Sequence, residues 1–120
     1  MPQYERPLIW IGSSKKDLMA FSEDVKDVFG YALHLAQHGE KHLDAKPLKG
    51  FSGTKTLEVV EDHRGDTYRA VYTVKFEGYV FVLHCFQKKS KKGIATPKLD
   101  IDKIRARLRD AELLHQELLR

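Results

Sequence analysis

The pattern of apolar residues near the N-terminus predicts a short strand followed by two helices. Residues 8–11 (LIWI) form an apolar run that Gly12 and two serines close, which is typical of a strand end. Ser13 or Ser14 is a suitable N-cap for a first helix, because a serine hydroxyl accepts hydrogen bonds from free backbone N–H groups. This helix passes through Leu18 and Phe21.

A longer helix is predicted from about Ser22, with acidic residues in its first turn and Gly39 as its C-terminal cap. Its apolar residues recur at three- and four-residue spacing and therefore share one face: Val25, Val28, Phe29, Ala32 and Ala36. We expect this face to pack against a sheet.

The middle of the chain predicts a loop and then three strands. Residues 40–56 contain Pro47, Gly50, Ser52 and Gly53, which interrupt any regular pattern. The predicted strands cover residues 57–62, 67–76 and 79–87, and residues 63–66 and 77–78 form the turns between them. The third strand is almost continuously apolar, which predicts burial on both faces and a position between other strands.

A final helix is predicted after Pro97. Its apolar stripe consists of Ile101, Ile104, Leu108, Ala111 and Leu118, and its arginines at 105, 107 and 109 lie mostly off that stripe. The order of elements predicts an α+β fold in a single domain, residues 1–120. We expect an antiparallel sheet of about four strands, two N-terminal helices and one C-terminal helix.

Charge is concentrated in the part of the chain that contains the predicted strands. The net charge is +4, and residues 41–97 carry eleven basic and six acidic side chains. A basic sheet surface suggests a polyanionic partner, either a nucleic acid or an acidic protein segment.

Several classes of protein are not supported by the sequence. Apolar runs are too short to span a membrane, and the N-terminus lacks the apolar segment of a signal peptide, so we expect a cytoplasmic protein. A single cysteine, Cys85, excludes a disulfide within the chain. His34, His38 and His42 have a helical spacing that suits a metal, but no further ligand completes a set, so we predict no metal and no cofactor.

Several segments in the second half of the chain together resemble the RelE/ParE superfamily, specifically its phage-derived HigB-like toxins. They are residues 46–50 (KPLKG), 57–62 (LEVVED), 67–72 (TYRAVY) and 83–93 (LHCFQKKSKKG), followed by Thr96-Pro97 and the last helix. The resemblance covers residues 46–108, and the N-terminal third matches only in its order of elements.

The resemblance implies a compact RelE-like toxin of a type II toxin–antitoxin system, which cleaves messenger RNA on the ribosome and is inhibited by a helix-turn-helix antitoxin. ParE-like members poison gyrase instead, which leaves a non-enzymatic function open. HigB-like relatives often carry an arginine shortly after the glutamate of the first strand in this region. Val60 occupies that place here, which leaves open an inactive homologue that only binds its antitoxin.

Metal-independent RNA cleavage needs a proton acceptor, a cation that neutralises the phosphorane and a proton donor. We predict Arg69 as the cation, because a guanidinium binds two phosphate oxygens and the resemblance covers this strand. The alternative is a salt bridge from Arg69 to Glu58 or Glu61. His84 or Lys89 is a candidate for proton transfer, although His84 alternates with Val82 and Phe86 and therefore also suits a core position.

Lysines after the third strand predict contact with the RNA backbone. The candidates are Lys88, Lys91 and Lys92, together with Lys49 and Lys55 from the preceding loop, which we expect to line the same groove. The alternative is a solvated strand end that resists aggregation.

Overall fold

The computed structural model describes residues 5–88 and 96–120. The strands are β1 (Leu8–Trp10), β2 (Ala45–Pro47), β3 (Thr56–His63), β4 (Asp66–Thr73) and β5 (Val80–Lys88). The helices are α1 (Ser14–Met19), α2 (Glu23–Gln37) and α3 (Lys98–Leu118). None of the helices in these ranges has the length and apolar character needed to cross a bilayer.

The α+β fold predicted from the sequence is confirmed, but the sheet differs from the prediction in its number of strands and in the direction of β1. Within the described ranges the sheet has five strands in the order β1-β5-β4-β3-β2, and β1 runs parallel to β5 while the other neighbours are antiparallel. The additional strand, β2, lies in the segment that we predicted as a loop. It contains Pro47, which is tolerated because β2 is at the edge of the sheet, where a missing N–H breaks no ladder.

Both predicted turns are present, but the strand between them is shorter than predicted. Arg64 and Gly65 both have positive φ, 52° and 85°, and connect β3 to β4 as a two-residue hairpin turn. The predicted turn at residues 77–78 is also present, with φ of +90° at Gly78 and a hydrogen bond from the Tyr79 N–H to the Phe76 carbonyl. The strand before it is shorter than predicted, because β4 ends at Thr73 and residues 74–79 form the connection. The Thr73 hydroxyl accepts a hydrogen bond from the Lys75 N–H, and Phe76 is buried against Phe81 instead of extending the strand.

A β-bulge in β5 changes which side chains share a face. Val71 pairs with His84 but Tyr72 pairs with Val82, so Leu83 is an extra residue between them. Val82 belongs to the core on one side of the sheet, whereas Leu83 and the following His84 both lie on the other side, because His84 pairs with Val71 of the second core. The prediction that His84 shares a face with Val82 is wrong for this reason.

Both faces of the sheet are covered. One core lies beneath α2, and we call this side of the sheet the α2 face; the other lies beneath α3, on the side we call the α3 face. β5 is buried from Val80 to Phe86, as its apolar run predicted. In α3, Ile104 and Ala111 are fully buried, but Leu118 is 42% exposed, so the predicted stripe ends before the last turn of the helix.

Candidate functional site

Arg69 forms a buried ion pair on the α3 face. Its position in β4 pairs with Val60 of β3 on one side and Phe86 of β5 on the other. Only 3% of Arg69 is exposed, and its Nη1 lies 2.9 Å from Oε2 of Glu58. The salt bridge to Glu58, which the sequence offered as the alternative to a catalytic role, is therefore present.

Thr96 completes this arrangement, which we call the Arg69 cluster (Glu58, Arg69 and Thr96). The Thr96 hydroxyl donates to Glu58 Oε2 at 3.0 Å and accepts from Arg69 Nη1 at 3.3 Å. Thr96 directly precedes Pro97, the N-cap residue of α3, so the cluster joins two strands to the start of that helix. Glu58 Oε1 has no hydrogen-bond partner in the described part of the chain.

His84 is held between a carboxylate and a guanidinium in the His84 cluster (His84, Asp100 and Arg107). Its Nε2 lies 2.7 Å from Asp100 Oδ1, and its Nδ1 lies 3.3 Å from Arg107 Nη1. Arg107 can only donate, so Nδ1 is the acceptor and Nε2 carries the proton that is donated to Asp100. Both ring nitrogens are therefore engaged in a side chain that is only 3% exposed.

Burial decides the protonation state of this histidine. Desolvation lowers the pKa of His84, and the neighbouring cations Arg107 and Lys103 act in the same direction. Asp100 opposes this shift through its hydrogen bond and its charge. We conclude that His84 is a neutral ring at physiological pH whose immediate role is to connect β5 with α3.

Arg107 extends the His84 cluster to the N-terminal part of the chain. Its Nη1 donates to the Leu83 carbonyl at 2.9 Å, and its Nη2 donates to the Ser13 hydroxyl at 3.0 Å. Ser13 is the N-cap residue of α1, as predicted, but its hydroxyl donates to Asp17 and makes no capping bond with the backbone. The Ser13 side chain thus connects α1 to Arg107 instead of capping the helix.

The two clusters lie on the same face, and Phe86 connects them. Phe86 is the register partner of Arg69, and its ring stacks on His84 with centroids 4.5 Å apart and planes at 17°. The structure therefore brings two of the predicted catalytic residues, Arg69 and His84, to one region of the sheet. Each is tied to a carboxylate that lies on a different element.

Two cavities open beside the Arg69 cluster, each of about 430 Å³. Glu58 and Lys46 line both of them, and these two residues are also register partners in β3 and β2. Val60 lines one cavity, and Lys49 lines the other together with Thr96. Asp44, Glu61 and Asp62 also line the cavity that contains Val60, so that cavity is acidic, whereas the cavity beside Thr96 combines Glu58 with Lys46 and Lys49.

The predicted RNA-binding lysines are distributed over two faces. Lys49 lines a cavity on the α3 face and Lys88 ends β5, opposite Thr67 of β4. Lys55 instead lines a third cavity, whose walls include Ala36 of α2 and Tyr72, so the structure does not place it in one groove with Lys49. Three further candidates, Lys89, Lys91 and Lys92, lie outside the described residues.

His34 in α2 and the two histidines that follow this helix, His38 and His42, are not grouped with other possible metal ligands in the described residues. The rings of His34 and His38 lie 4.4 Å apart, whereas His42 contacts the ring of Tyr31. Across residues 5–88 and 96–120, no three His, Cys, Asp or Glu side chains are grouped as metal ligands would be.

Sequence reasoning missed the contribution of α3 to these clusters. Asp100 and Arg107 lie on the same helical face as the buried residues Ile104 and Ala111, at a spacing of three or four residues. An acidic and a basic residue within an otherwise apolar stripe are a signal of buried polar contacts. Their common partner, His84, could not be identified because the bulge in β5 determines its face.

Comparisons with known proteins give a family but no curated relative. No curated protein matches the chain significantly in sequence. Among solved structures, the toxin–antitoxin complex RelBE2 from Mycobacterium tuberculosis contains a chain that is similar, with a TM-score of 0.48 and 17% identity, over 74% of this chain and 98% of that one. The profile of the family described as phage-derived protein Gp49-like (DUF891) matches residues 16–109. This match covers most of the sequence, agrees with the phage-derived group that the motifs predicted, and shows that the chain belongs to the phage-derived Gp49-like family.

Proposed function

We propose that this chain is the toxin of a type II toxin–antitoxin pair and acts as a metal-independent endoribonuclease on messenger RNA at the ribosome. Membership of the phage-derived Gp49-like family and the HigB-like motifs support the toxin assignment. The observation that carries the proposed chemistry is the position of Glu58, which lines two cavities while Arg69 and Thr96 hold one of its oxygens.

Glu58 is suited to accept the proton of a ribose 2′-hydroxyl. Its Oε1 is not used by the described residues, and the two bonds to Oε2 fix the orientation of the carboxylate. Lys46, directly opposite Glu58 in the sheet, supplies a positive charge for the phosphorane and a proton for the leaving 5′-oxygen. Arg69 has the predicted charge, but in this arrangement it acts through Glu58 as a positioning residue.

His84 has a positioning role in this proposal as well. Its two nitrogens bind Asp100 and Arg107, and this fixes the start of α3, next to Thr96. Direct proton transfer by His84 or Lys89 stays a prediction from the sequence.

The RNA backbone is proposed to contact the two lysines that line the cavity beside Thr96, because the other cavity carries four carboxylates and one lysine. Lys46 and Lys49 are exposed on the α3 face, and Lys88, Lys91 and Lys92 follow from the sequence. Each phosphate contact releases condensed counterions. For single-stranded RNA, the logarithm of the binding constant should therefore fall by about 0.7 for each phosphate contact when the salt concentration rises tenfold. Replacing Lys91 and Lys92 by alanine should flatten this slope by about 1 to 1.5 units.

The proposed partner is a cytoplasmic helix-turn-helix antitoxin that covers the same basic groove with an acidic or amphipathic segment. The net charge of +4 supports a partner of opposite charge. Such a complex should weaken as salt rises, because exposed charges are screened beyond about 8–10 Å at 0.1–0.15 M salt. A complex that is insensitive to salt would indicate hydrophobic docking elsewhere on the chain.

Val60 favours a second candidate function, a toxin homologue that binds its antitoxin without cleaving RNA. Val60 pairs with Arg69 and lines a cavity with Glu58, at the place where the HigB-like resemblance implies an arginine. An apolar side chain there removes one charge that would otherwise contact the scissile phosphate.

Induced expression in bacteria separates these functions. The nuclease proposal expects growth arrest and new messenger-RNA ends in the wild type, and loss of both in Lys46→Ala, an exposed position where the fold should tolerate the change. Lys16→Ala on α1 is the matched control and should remain toxic. A supercoiling assay run in parallel should show no effect on gyrase. Growth arrest with intact messenger RNA and inhibited gyrase would refute the nuclease function, and absence of arrest would favour the antitoxin binder.

A further inference from the structure

A third cavity lies on the α2 face of the sheet, apart from the proposed RNA site. Its volume is about 490 Å³, within the range of about 300–1,000 Å³ that is usual for small-molecule sites. Its polar and charged lining residues are Arg6, Glu40, Lys41, Lys55, Tyr72, Lys75 and Glu77, and its apolar ones include Ala36, Leu57 and Val74. Neither the family match nor the proposed nuclease site accounts for this cavity.

Tyr72, one of the residues that line this cavity, has a hydroxyl group without a hydrogen-bond partner among the described residues. The side chain is 0% exposed. Buried polar groups in proteins are nearly always hydrogen-bonded, so this hydroxyl is expected to take a partner from outside the chain. Burial also raises the pKa of Tyr72 to about 12, so the phenol stays neutral and can both donate and accept.

The charges around the opening of the cavity favour an anion. Four cations face two carboxylates, which leaves two formal positive charges. Lys41, Lys55 and Lys75 are exposed, and none of them has an ion-pair partner within 4.0 Å in the described ranges. A phosphate monoester carries a charge of about −1.5 to −2 at pH 7, which matches this excess.

The backbone conformation of Lys55 is a further unusual feature of the same wall. Its φ is +48°, in the left-handed region that side chains other than glycine and asparagine seldom adopt. The Lys55 carbonyl accepts a hydrogen bond from Val74, which lines the cavity beside Lys75. Such strained residues persist where the surrounding structure enforces them, and they are concentrated at ligand sites.

We propose that this cavity binds a small organic phosphate with an apolar body. Its phosphate would lie among Lys41, Lys55 and Lys75 at the opening, and a polar atom of its body would bond the Tyr72 hydroxyl below them. Leu57 and Val74 supply the apolar contact for that body. The site is on the opposite face from Glu58 and Lys46, so it is independent of the nuclease proposal.

Titration of the full chain by NMR, observing backbone amides, tests this assignment. Adenosine monophosphate, inorganic phosphate and adenosine are the three probes. We expect the monophosphate to bind most tightly and to shift amides of residues 72–75, inorganic phosphate to shift the same amides more weakly, and adenosine to bind least. A response to inorganic phosphate equal to that of the monophosphate would refute the apolar part of the site.

Two variants and a control make the test specific. Tyr72→Phe removes only the hydroxyl and should weaken binding of the monophosphate about two- to tenfold, as expected for one hydrogen bond. Lys75→Ala, at an exposed position, should weaken it and reduce its salt dependence, whereas Lys16→Ala on α1 should leave it unchanged. The proposal is overturned if no probe saturates at millimolar concentration, if shifts map to the α3 face, or if both variants bind like the wild type.

Discussion

The ion pair between Arg69 and Glu58 gives the sharpest test of the energetics on the α3 face. The side chains of Arg69 and Glu58 are 4% and 14% exposed, and their charged atoms are 2.9 Å apart. At about 4 Å and an effective dielectric constant of about 20, two unit charges attract by about 4 kcal/mol. Removing one partner of a buried pair typically costs about 3–5 kcal/mol, because the remaining charge stays buried without compensation.

We therefore expect Arg69→Met and Glu58→Gln each to lower the free energy of unfolding by about 3 kcal/mol. The double variant should be less destabilised than the sum by about 2 kcal/mol or more, because the charge that each single variant keeps is then also absent. Each single change corresponds to a fall in Tm of about 10–15 °C for a chain of this size. Urea denaturation followed by circular dichroism measures all three values.

A surface pair with the same geometry is the control. Lys98 and Asp102 are also 2.9 Å apart, but their side chains are 86% and 54% exposed. Lys98→Met should change stability by no more than about 0.5 kcal/mol. Single variants of the buried pair within about 1 kcal/mol of the wild type, or effects that simply add, would refute the reasoning. If an Arg69 variant keeps near-normal stability, loss of growth arrest in that variant would identify a role of Arg69 in the chemistry. If the variant unfolds, loss of growth arrest does not distinguish such a role from loss of the fold.

Three further predictions concern other parts of the fold. Tyr72→Phe should stabilise the ligand-free chain by about 1 kcal/mol in urea denaturation, because it removes a buried hydroxyl without a partner; destabilisation would show that the hydroxyl is bonded. Burial lowers the pKa of His84, so as the pH falls below about 6.5 the unfolded chain takes up this proton before the folded chain does. The stability advantage of the wild type over His84→Gln should therefore shrink between about pH 7.5 and 5. A difference in stability that does not change with pH would contradict the lowered pKa. Gly12→Ala should destabilise the fold by more than about 1 kcal/mol, because φ is +57° and the added Cβ would lie 2.7 Å from Arg107 Nε. Gly30→Ala in α2 should stabilise it by about 0.5–1 kcal/mol, because no atom lies within 4 Å of the added Cβ. Similar effects at both glycines would contradict this explanation.

The secondary structure was predictable where a local pattern determines it. The period of apolar residues in α2 and the unbroken apolar run of β5 each identify an element without reference to its neighbours. The hairpin at Arg64 and Gly65 was equally local, because Gly accommodates the positive φ that the turn requires. The motifs in residues 46–108 also indicated the phage-derived group to which the family match assigns the chain.

Elements that depend on distant contacts were not predictable in the same way. β2 has only three residues and contains Pro47, so its strand conformation comes from pairing with β3 and not from its own sequence. The end of β4 depends on Phe76, which is buried against Phe81 instead of continuing an alternating pattern.

The sequence by itself determined the class of fold, the burial of β5, the excess of positive charge and the family. Only the tertiary structure decided what the charged residues contact. The sequence left open whether Arg69 binds phosphate or Glu58, and the structure shows the ion pair with Glu58. Lys55 was grouped with Lys49, although they line cavities on opposite faces of the sheet. The single extra residue in β5 shows the physical reason: one bulge reverses the face of every following side chain, and this placed His84 between Asp100 and Arg107.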